Sequence, residues 1–247
     1  MTTEHEQEEA RGEKSGDSEW GGLCRTGGIA AMILIVYSLA MMVQMVVLGG
    51  QPANAVEAFG LLQNHRLVGL LRLDLPTIAV MPLYYLLFLG LYAALRRADR
   101  ANATLSTALA FAGLTLVLAT PTALSMIQLS DKYAAATSEA ARMQWQAAGE
   151  AVMATDIWHG TGAILGGVLL QAGAVLISFV MLRGGVFSKA TAYLGIVMHG
   201  LDLLHIVCGL VVPVSGVVLL AIAGPLYPVW FFMVGRRLLQ LGAARRQ

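Results

Sequence analysis

Charged side chains are scarce in this chain. Asp, Glu, Lys and Arg make up 13% of its 247 residues, and the net charge is +1. Charged residues form about 25% of typical soluble domains. The few charges are also segregated along the chain and do not pool in a basic patch. We therefore expect neither a large soluble domain nor a nucleic-acid partner.

Cysteine is equally scarce, and the motifs of soluble enzymes are missing. The two cysteines, Cys24 and Cys208, lack the C-x-x-C spacing of a metal or redox site. The chain has no G-x-S-x-G nucleophile motif, no paired-carboxylate signature and no nucleotide-binding fingerprint. The glycines between positions 160 and 173 are not followed by Lys-Ser/Thr, so they do not form a phosphate-binding loop. No soluble-enzyme chemistry is indicated.

Long apolar runs fill most of the chain, which is 57% hydrophobic. Roughly 20 apolar residues in a helix cross the ~30 Å hydrocarbon core of a bilayer. Backbone in lipid must satisfy its own hydrogen bonds, so each crossing segment is helical. The pattern predicts an all-α, polytopic transmembrane bundle of six helices, with the lipid bilayer as its surroundings. The predicted spans are 28–48, 75–95, 103–129, 158–182, 190–211 and 214–234.

Both ends of the chain differ in composition from the apolar part. Residues 1–27 are rich in Glu and Asp and carry almost no apolar side chains, which predicts a disordered acidic tail. Residues 28–235 form the predicted transmembrane domain, and 236–247 a basic tail. The acidic start and the absence of a cleavage-site pattern argue against a secretory signal.

The distribution of Arg and Lys predicts the orientation of the spans. With a cytoplasmic amino terminus, all but four of the 16 basic residues lie in inner segments, and the exceptions are Arg66, Arg72, Lys132 and Arg142. Short cytoplasmic loops carry the excess of Lys and Arg in membrane proteins. We therefore expect both termini to be cytoplasmic and the protein to lie in the inner or plasma membrane.

Prolines and short polar segments predict where the helices are interrupted. Pro82 and Pro121 fall inside the second and third spans, and the sequence GPLYP, with Pro225, falls inside the sixth. An interior proline removes a backbone hydrogen bond and kinks or breaks a helix. Segment 56–72 is too polar to cross and is expected to be an interfacial helix or an outer extension of the second span. Ser138 is a suitable N-cap for a surface helix that leads into the fourth span.

Ionisable residues inside or beside the spans are the candidate site. His199, Asp202 and His205 lie within about 120° on one face of the fifth helix. A carboxylate at the centre of a span costs about 2.5–3.5 kcal/mol on insertion scales, so Asp202 needs a partner, and the two histidines are the nearest. Asp156, His159 and Asp74 are expected near the outer side. We predict that these six residues line a polar intramembrane pocket that opens outward.

Three interpretations of this pocket stay open. It is a polar network that only stabilises helix packing, a path for protons or a small polar solute, or a metal or haem site. Histidine titrates near neutral pH, which suits the second. Zinc takes nitrogen and oxygen ligands, and its ligands here would be His159, His199, Asp202 and His205. We expect no resident cofactor, with a metal ion as the alternative.

The segments at the ends of the predicted helices resemble those of a family of bacterial and archaeal six-helix membrane proteins, the domain of unknown function 4386 family. The similar features are LYAALRRADR after the second span, TSEAARMQWQ before the fourth, RGGVFSKATAYLGIV between the fourth and fifth, and PVWFFMVGRRL near the end. The resemblance implies six transmembrane helices and no established activity. It supplies no catalytic residues.

The function predicted from the sequence is non-enzymatic. The protein is expected to bind, sense or pass a small solute or protons through the polar pocket. One alternative is a membrane-embedded, metal-dependent enzyme that uses the His/Asp face of the fifth helix. The other is an assembly subunit of a membrane complex, with a membrane-protein partner or a second copy of the chain.

Overall fold

A computed structural model describes residues 2–244, and all regular secondary structure in this range is helical. Twelve helices follow one another in these residues. They are α1 (Thr2–Val47), α2 (Ala55–Asn64), α3 (Arg66–Arg72), α4 (Leu75–Val80), α5 (Leu83–Leu95), α6 (Arg100–Leu118), α7 (Ala123–Ala135), α8 (Glu139–Met153), α9 (Thr161–Gly184), α10 (Lys189–Gly209), α11 (Pro213–Ala223) and α12 (Leu226–Ala244).

Five stretches of the described chain are long and apolar enough to cross a bilayer. Two of them combine consecutive helices, namely α4 with α5 and α6 with α7. The prediction of an all-helical, multi-pass membrane protein agrees with this finding, while the number of six spans stays a prediction. The five stretches are Trp20–Val47, Leu75–Leu95, Arg100–Ala135, Thr161–Gly184 and Lys189–Gly209.

The helices are interrupted where the prolines predict it. α4 ends at Val80, just before Pro82, and the α6–α7 boundary contains Pro121. The predicted sixth span is divided at Gly224 and Pro225 into α11 and α12. A proline has no backbone N–H and its ring collides with the preceding turn. These three predictions are confirmed.

Short helices occupy the polar segments between the spans. Segment 56–72 falls in α2 and α3, which are separated at His65, while its position at the membrane interface stays a prediction. The Ser138 side chain accepts a hydrogen bond from the Ala141 backbone N–H at 3.2 Å, and α8 begins directly after it. Ser138 therefore caps α8 as predicted, since a side-chain oxygen there pairs one of the free N–H groups of the first turn.

Both predicted tails continue a long helix in the structure. α1 begins at Thr2 and includes the acidic segment, whose first residue lies outside the described residues. Glu, Gln, Arg and Lys are good helix formers, so this composition is compatible with a helix, and its disorder stays a prediction. α12 continues through the basic segment to Ala244, and positions 245–247 of that predicted tail lie outside the described residues.

The chain divides into two compact units, each with its own core. The first unit comprises the described residues of Met1–Val36, Leu83–Phe111 and Gln171–Gln247. Two of its helices approach closely, because a Cβ added to Gly27 would lie 2.8 Å from the Cα of Gly90. Fully buried apolar side chains of the same unit include Leu87, Leu91, Phe231, Val234 and Leu238.

The second unit comprises Tyr37–Pro82 and Ala112–Leu170. Here α6 and α9 pack backbone to backbone, because a Cβ on Gly166 would lie 2.6 Å from the carbonyl oxygen of Gly113. This contact confirms the close helix packing predicted at Gly166, where a small residue lets two helices approach. Beside it, α2 packs its buried face on α7 through Phe59 and Met126.

Candidate functional site

The six predicted pocket residues fall into two groups, one in each unit. His199, Asp202 and His205 lie on α10 in the first unit. The second unit contains the other three, Asp74, Asp156 and His159. The convergence of all six on one pocket therefore stays a prediction, and each group has to be analysed by its own contacts.

Asp202 is the centre of a hydrogen-bonded cluster in the first unit. Its Oδ2 accepts a hydrogen bond from the Tyr227 hydroxyl at 2.5 Å and another from Gln171 Nε2 at 2.5 Å. Gln171 lies on α9 and Tyr227 on α12, so the carboxylate joins three helices. The partners differ from the expected ones, because Asp202 bonds an amide and a phenol where we considered His199 or His205. We name Gln171, His199, Asp202 and Tyr227 the Asp202 cluster.

Gln171 connects His199 to this carboxylate. Its Nε2 donates to Asp202, so its Oε1 is the atom 2.7 Å from Nδ1 of His199. An amide oxygen has no proton to give, and His199 must therefore donate from Nδ1. In the neutral ring this leaves Nε2 as an acceptor. His199 is 3% exposed, and its Nε2 has no hydrogen-bond partner among the described residues.

Aromatic rings enclose His199. Its imidazole makes edge-to-face contacts with Tyr227, at 5.5 Å between ring centroids, and with Trp230, at 4.8 Å. Trp230 is buried, as expected for a core aromatic, yet its indole Nε1–H has no partner within the described part of the chain. A Cβ on Gly195 would lie 2.6 Å from this nitrogen, so the indole packs directly on the backbone of α10.

His205 connects two helices of the first unit, and its place in the polar pocket stays a prediction. Its Nδ1 donates to the Gly216 carbonyl oxygen at 2.8 Å and so ties α10 to α11. The two helices also approach closely here, because a Cβ on Gly216 would lie 3.0 Å from the Cα of Gly209. These contacts close the tight hairpin after the fifth span.

Asp74 caps a broken helix in the second unit. It is fully buried, and its carboxylate accepts from the Thr122 backbone N–H, from the Thr122 hydroxyl at 3.0 Å and from the Ala123 N–H at 2.9 Å. These donors belong to the first turn of α7, where Pro121 has interrupted the helix. The free N–H groups of a helix start attract a negative charge. The Asp74 carboxylate therefore stabilises the start of α7.

Asp156 and His159 form a compact pair before α9. Asp156 Oδ1 accepts from the backbone N–H groups of Trp158 and His159, each at 2.8 Å, and lies 2.9 Å from His159 Nδ1. The carboxylate is buried, whereas 68% of the His159 side chain is exposed. Gln51, with its amide nitrogen toward Asp156, also bridges to the Trp158 indole. Asp156 thus holds the turn that leads into the fourth span.

The predicted metal site at His159, His199, Asp202 and His205 stays a prediction, because its residues belong to different units. Within residues 2–244, no group of three or more His, Cys, Asp or Glu side chains is placed to hold a metal ion. His159 belongs to the second unit, while His199 and His205 use their Nδ1 atoms in separate hydrogen bonds. A zinc site needs three or four ligands within about 2.0–2.3 Å of one point.

Two carboxylates outside the spans have a lowered pKa. The backbone N–H of Ala53 donates to Glu57 and, with the Arg72 guanidinium 2.8 Å away, lowers the pKa of that carboxyl below its ordinary 4.5. Hydrogen bonds from the side chain and backbone of Asn102 lower the pKa of Asp99 in the loop before α6. Both groups fasten loops at the ends of helices, because the bonds favour the charged form.

Three comparisons of the chain with known proteins found no match. No family model matches the chain, and no curated protein or solved structure matches it either. Membership of the domain of unknown function 4386 family thus stays a prediction from the residues that carry the resemblance.

Proposed function

We propose that the protein is a non-enzymatic, multi-pass membrane protein that binds a proton or a small polar solute at the Asp202 cluster. The observation that carries the proposal is an ionisable carboxylate inside a candidate span, bonded through Gln171 to a buried histidine. Ionisable residues within membrane spans are costly and mark ion or substrate paths. The sequence lacks the motifs of known soluble catalysts, which favours binding over chemistry.

A purely structural role explains the cluster less well. An asparagine at position 202 would offer an acceptor oxygen to Tyr227 and Gln171 without the cost of a carboxylate in the bilayer. The cluster also ends in an acceptor, His199 Nε2, that has no hydrogen-bond partner in the part of the chain that the structure describes. A network that serves packing alone is expected to satisfy its buried polar atoms. Both features are accounted for when the cluster exchanges protons or ligand hydrogen bonds.

The proton-binding part of the proposal can be tested by infrared difference spectroscopy on protein in lipid nanodiscs. We expect a step in external pH to change a carboxyl band of the wild-type protein, and this change to disappear in Asp202→Asn. Asp131→Asn is the matched control, since Asp131 is a surface carboxylate, 57% exposed beside Arg66. A carboxyl band that persists unchanged in Asp202→Asn would overturn the assignment.

Loss of the folded protein in Asp202→Asn would leave the spectra without meaning, so a second variant is needed. Asp202→Glu keeps an ionisable group on a longer side chain. We expect it to retain a pH-dependent carboxyl band at a shifted frequency. A band that keeps the wild-type frequency in Asp202→Glu would assign the signal to another carboxylate and contradict the proposal.

The proposed orientation places both termini in the cytoplasm of a cell with the protein in its inner or plasma membrane. It is supported by the excess of Arg and Lys in the alternate loops. Reporter fusions after Asp99 and after Asp131 test it. We expect the first to report the cytoplasm and the second the outer side, and the reverse pattern would overturn the orientation.

A further inference from the structure

Two unpaired polar atoms lie on neighbouring rings at the buried end of the Asp202 cluster. His199 Nε2 and Trp230 Nε1 each lack a hydrogen-bond partner among the described residues. The two rings touch edge to face at 4.8 Å, and the residues are 3% and 1% exposed. A buried polar atom without a partner has lost its hydrogen bonds to water without replacement, which destabilises the folded protein. The two atoms belong to rings that are in contact, so one bound group can account for both.

The chemistry of the two atoms is complementary. The indole Nε1–H of Trp230 can only donate a hydrogen bond. His199 gives its Nδ1 proton to Gln171 Oε1, so its Nε2 accepts. One group that both accepts and donates would satisfy the pair, and a hydroxyl is the smallest such group. A cation or metal ion would meet the indole N–H, and an anion would meet the His199 lone pair, so both are disfavoured.

The surroundings of the indole are also polar and small. Gly195 lies against Trp230 Nε1, and Ser178 lies against the same glycine. The Ser178 hydroxyl is already used as a donor, to the Ala174 carbonyl oxygen at 2.8 Å. It therefore keeps only acceptor capacity, which does nothing for the acceptor on His199.

We propose that His199 Nε2 and Trp230 Nε1 form a subsite for one neutral hydroxyl group, accepting from the indole and donating to the imidazole. This subsite deepens the proposed function and rests on it, because the hydroxyl would belong to the small polar solute bound at the Asp202 cluster. A water molecule is the other source of the same chemistry. Gln171 is the positioning residue, since it holds His199 with Nε2 toward the subsite.

The test uses Trp230 as the reporter. A protein with Trp20, Trp145 and Trp158 replaced by phenylalanine keeps one indole, which is labelled with ¹⁵N and observed by NMR in nanodiscs. The probes are glycerol, which carries hydroxyls, and 1,2-dimethoxyethane, which carries none. We expect a saturable shift of the Trp230 Nε1–H signal with glycerol and none with the ether. The shift should be lost in His199→Phe and retained in the exposed control His65→Gln.

Water as the occupant gives a separate result. A cross-peak between the Trp230 indole proton and water, without response to glycerol, would support the hydroxyl subsite with water as its source. The absence of both the water cross-peak and the glycerol shift would overturn the subsite. If His199→Phe fails to fold, His199→Gln serves as second variant, because its side chain offers an acceptor oxygen and is expected to retain part of the shift. A signal unaffected by either substitution would also overturn the subsite.

Failure of the subsite is distinguishable from failure of the proposed function. The infrared test at Asp202 does not involve Trp230. A pH-dependent Asp202 band with a silent Trp230 signal would remove the subsite alone. The opposite result is a Trp230 signal that responds to glycerol in a protein whose Asp202 band does not change with pH. It would remove proton binding from the proposed function and leave the binding of a hydroxyl-bearing solute.

Discussion

Tyr227 donates its hydroxyl proton to Asp202 Oδ2 across 2.5 Å, although the two residues are 25 positions apart in the chain. The bond joins α12 to α10 at the point where the carboxylate also meets Gln171 on α9. A hydrogen bond to a carboxyl group contributes about 0.5–3 kcal/mol, depending on whether the carboxyl is neutral or charged. The bond therefore links the stability of the fold to the candidate site.

Removing this hydroxyl should weaken the fold measurably. We expect Tyr227→Phe to lower the free energy of unfolding by about 1–3 kcal/mol, because the ring stays and only the hydrogen bonds to Asp202 and Gln171 are lost. Unfolding of the purified protein in mixed micelles measures this. The control is Tyr193→Phe, whose side chain is 58% exposed. Equal stabilities of the two variants would show that the bond contributes little.

Asp74 should be important for folding, because its buried carboxylate caps the start of α7. Asp74→Ala leaves the first N–H groups of α7 without their acceptor in a buried place, at roughly 1–3 kcal/mol for each unpaired donor. We expect strongly reduced levels of folded protein in membranes, measured by fluorescence-detected size exclusion. Asp131→Ala, at an exposed ion pair, should behave like the wild type. A normal elution profile for Asp74→Ala would contradict the capping role.

Bulk at the contact between α6 and α9 should separate these helices. We expect Gly166→Leu to reduce the level and the thermal stability of the protein in detergent, because its Cβ alone would lie 2.6 Å from the Gly113 carbonyl oxygen. Gly60→Leu is the comparison, since a Cβ at Gly60 has no neighbour within 4 Å. Wild-type stability of Gly166→Leu would show that this side of α9 tolerates bulk.

The loop carboxylates predict a loss of stability in acid. The pKa of Glu57 is lowered in the folded protein, so its contribution is complete above the unfolded pKa, near 4.5, and is lost as pH falls through the folded pKa. Asp99 acts in the same direction from an ordinary pKa of 3.8. We expect the melting temperature in detergent to fall below about pH 4.5, and to fall less in Glu57→Gln. A variant with the full wild-type acid dependence would exclude Glu57 as a cause.

Local patterns account well for the helices and their interruptions. Pro82, Pro121 and Pro225 interrupt the helix in their immediate neighbourhood, so their positions in the sequence predict where the helices break. The cap at Ser138 is equally local, because it bonds a residue three positions away. The division of the predicted sixth span into α11 and α12 has the same local cause.

The candidate site was only half predictable. His199 and Asp202 stand out because an apolar run makes ionisable residues conspicuous. Gln171, the residue that connects them, gave one weak signal: it is a single amide in an otherwise apolar helix. Tyr227 and Trp230 gave none beyond an expectation of core aromatics, since an aromatic in an apolar segment is usually packing. Which of them meets Asp202 depends on how α9, α10 and α12 are arranged.

The apolar segments suited to a bilayer, the helical backbone and the positions at which the helices are interrupted all follow from the sequence alone. Each of these follows from the hydropathy of a segment or the geometry of a proline, which act within a few residues. The hydrogen-bond partners of the buried polar residues depend on the tertiary structure. Asp74 bonds the start of α7, His205 bonds the Gly216 carbonyl oxygen, and Asp202 bonds Tyr227 and Gln171. A buried polar group takes whichever donor or acceptor the packed helices bring within about 3 Å, and no local pattern specifies that neighbour.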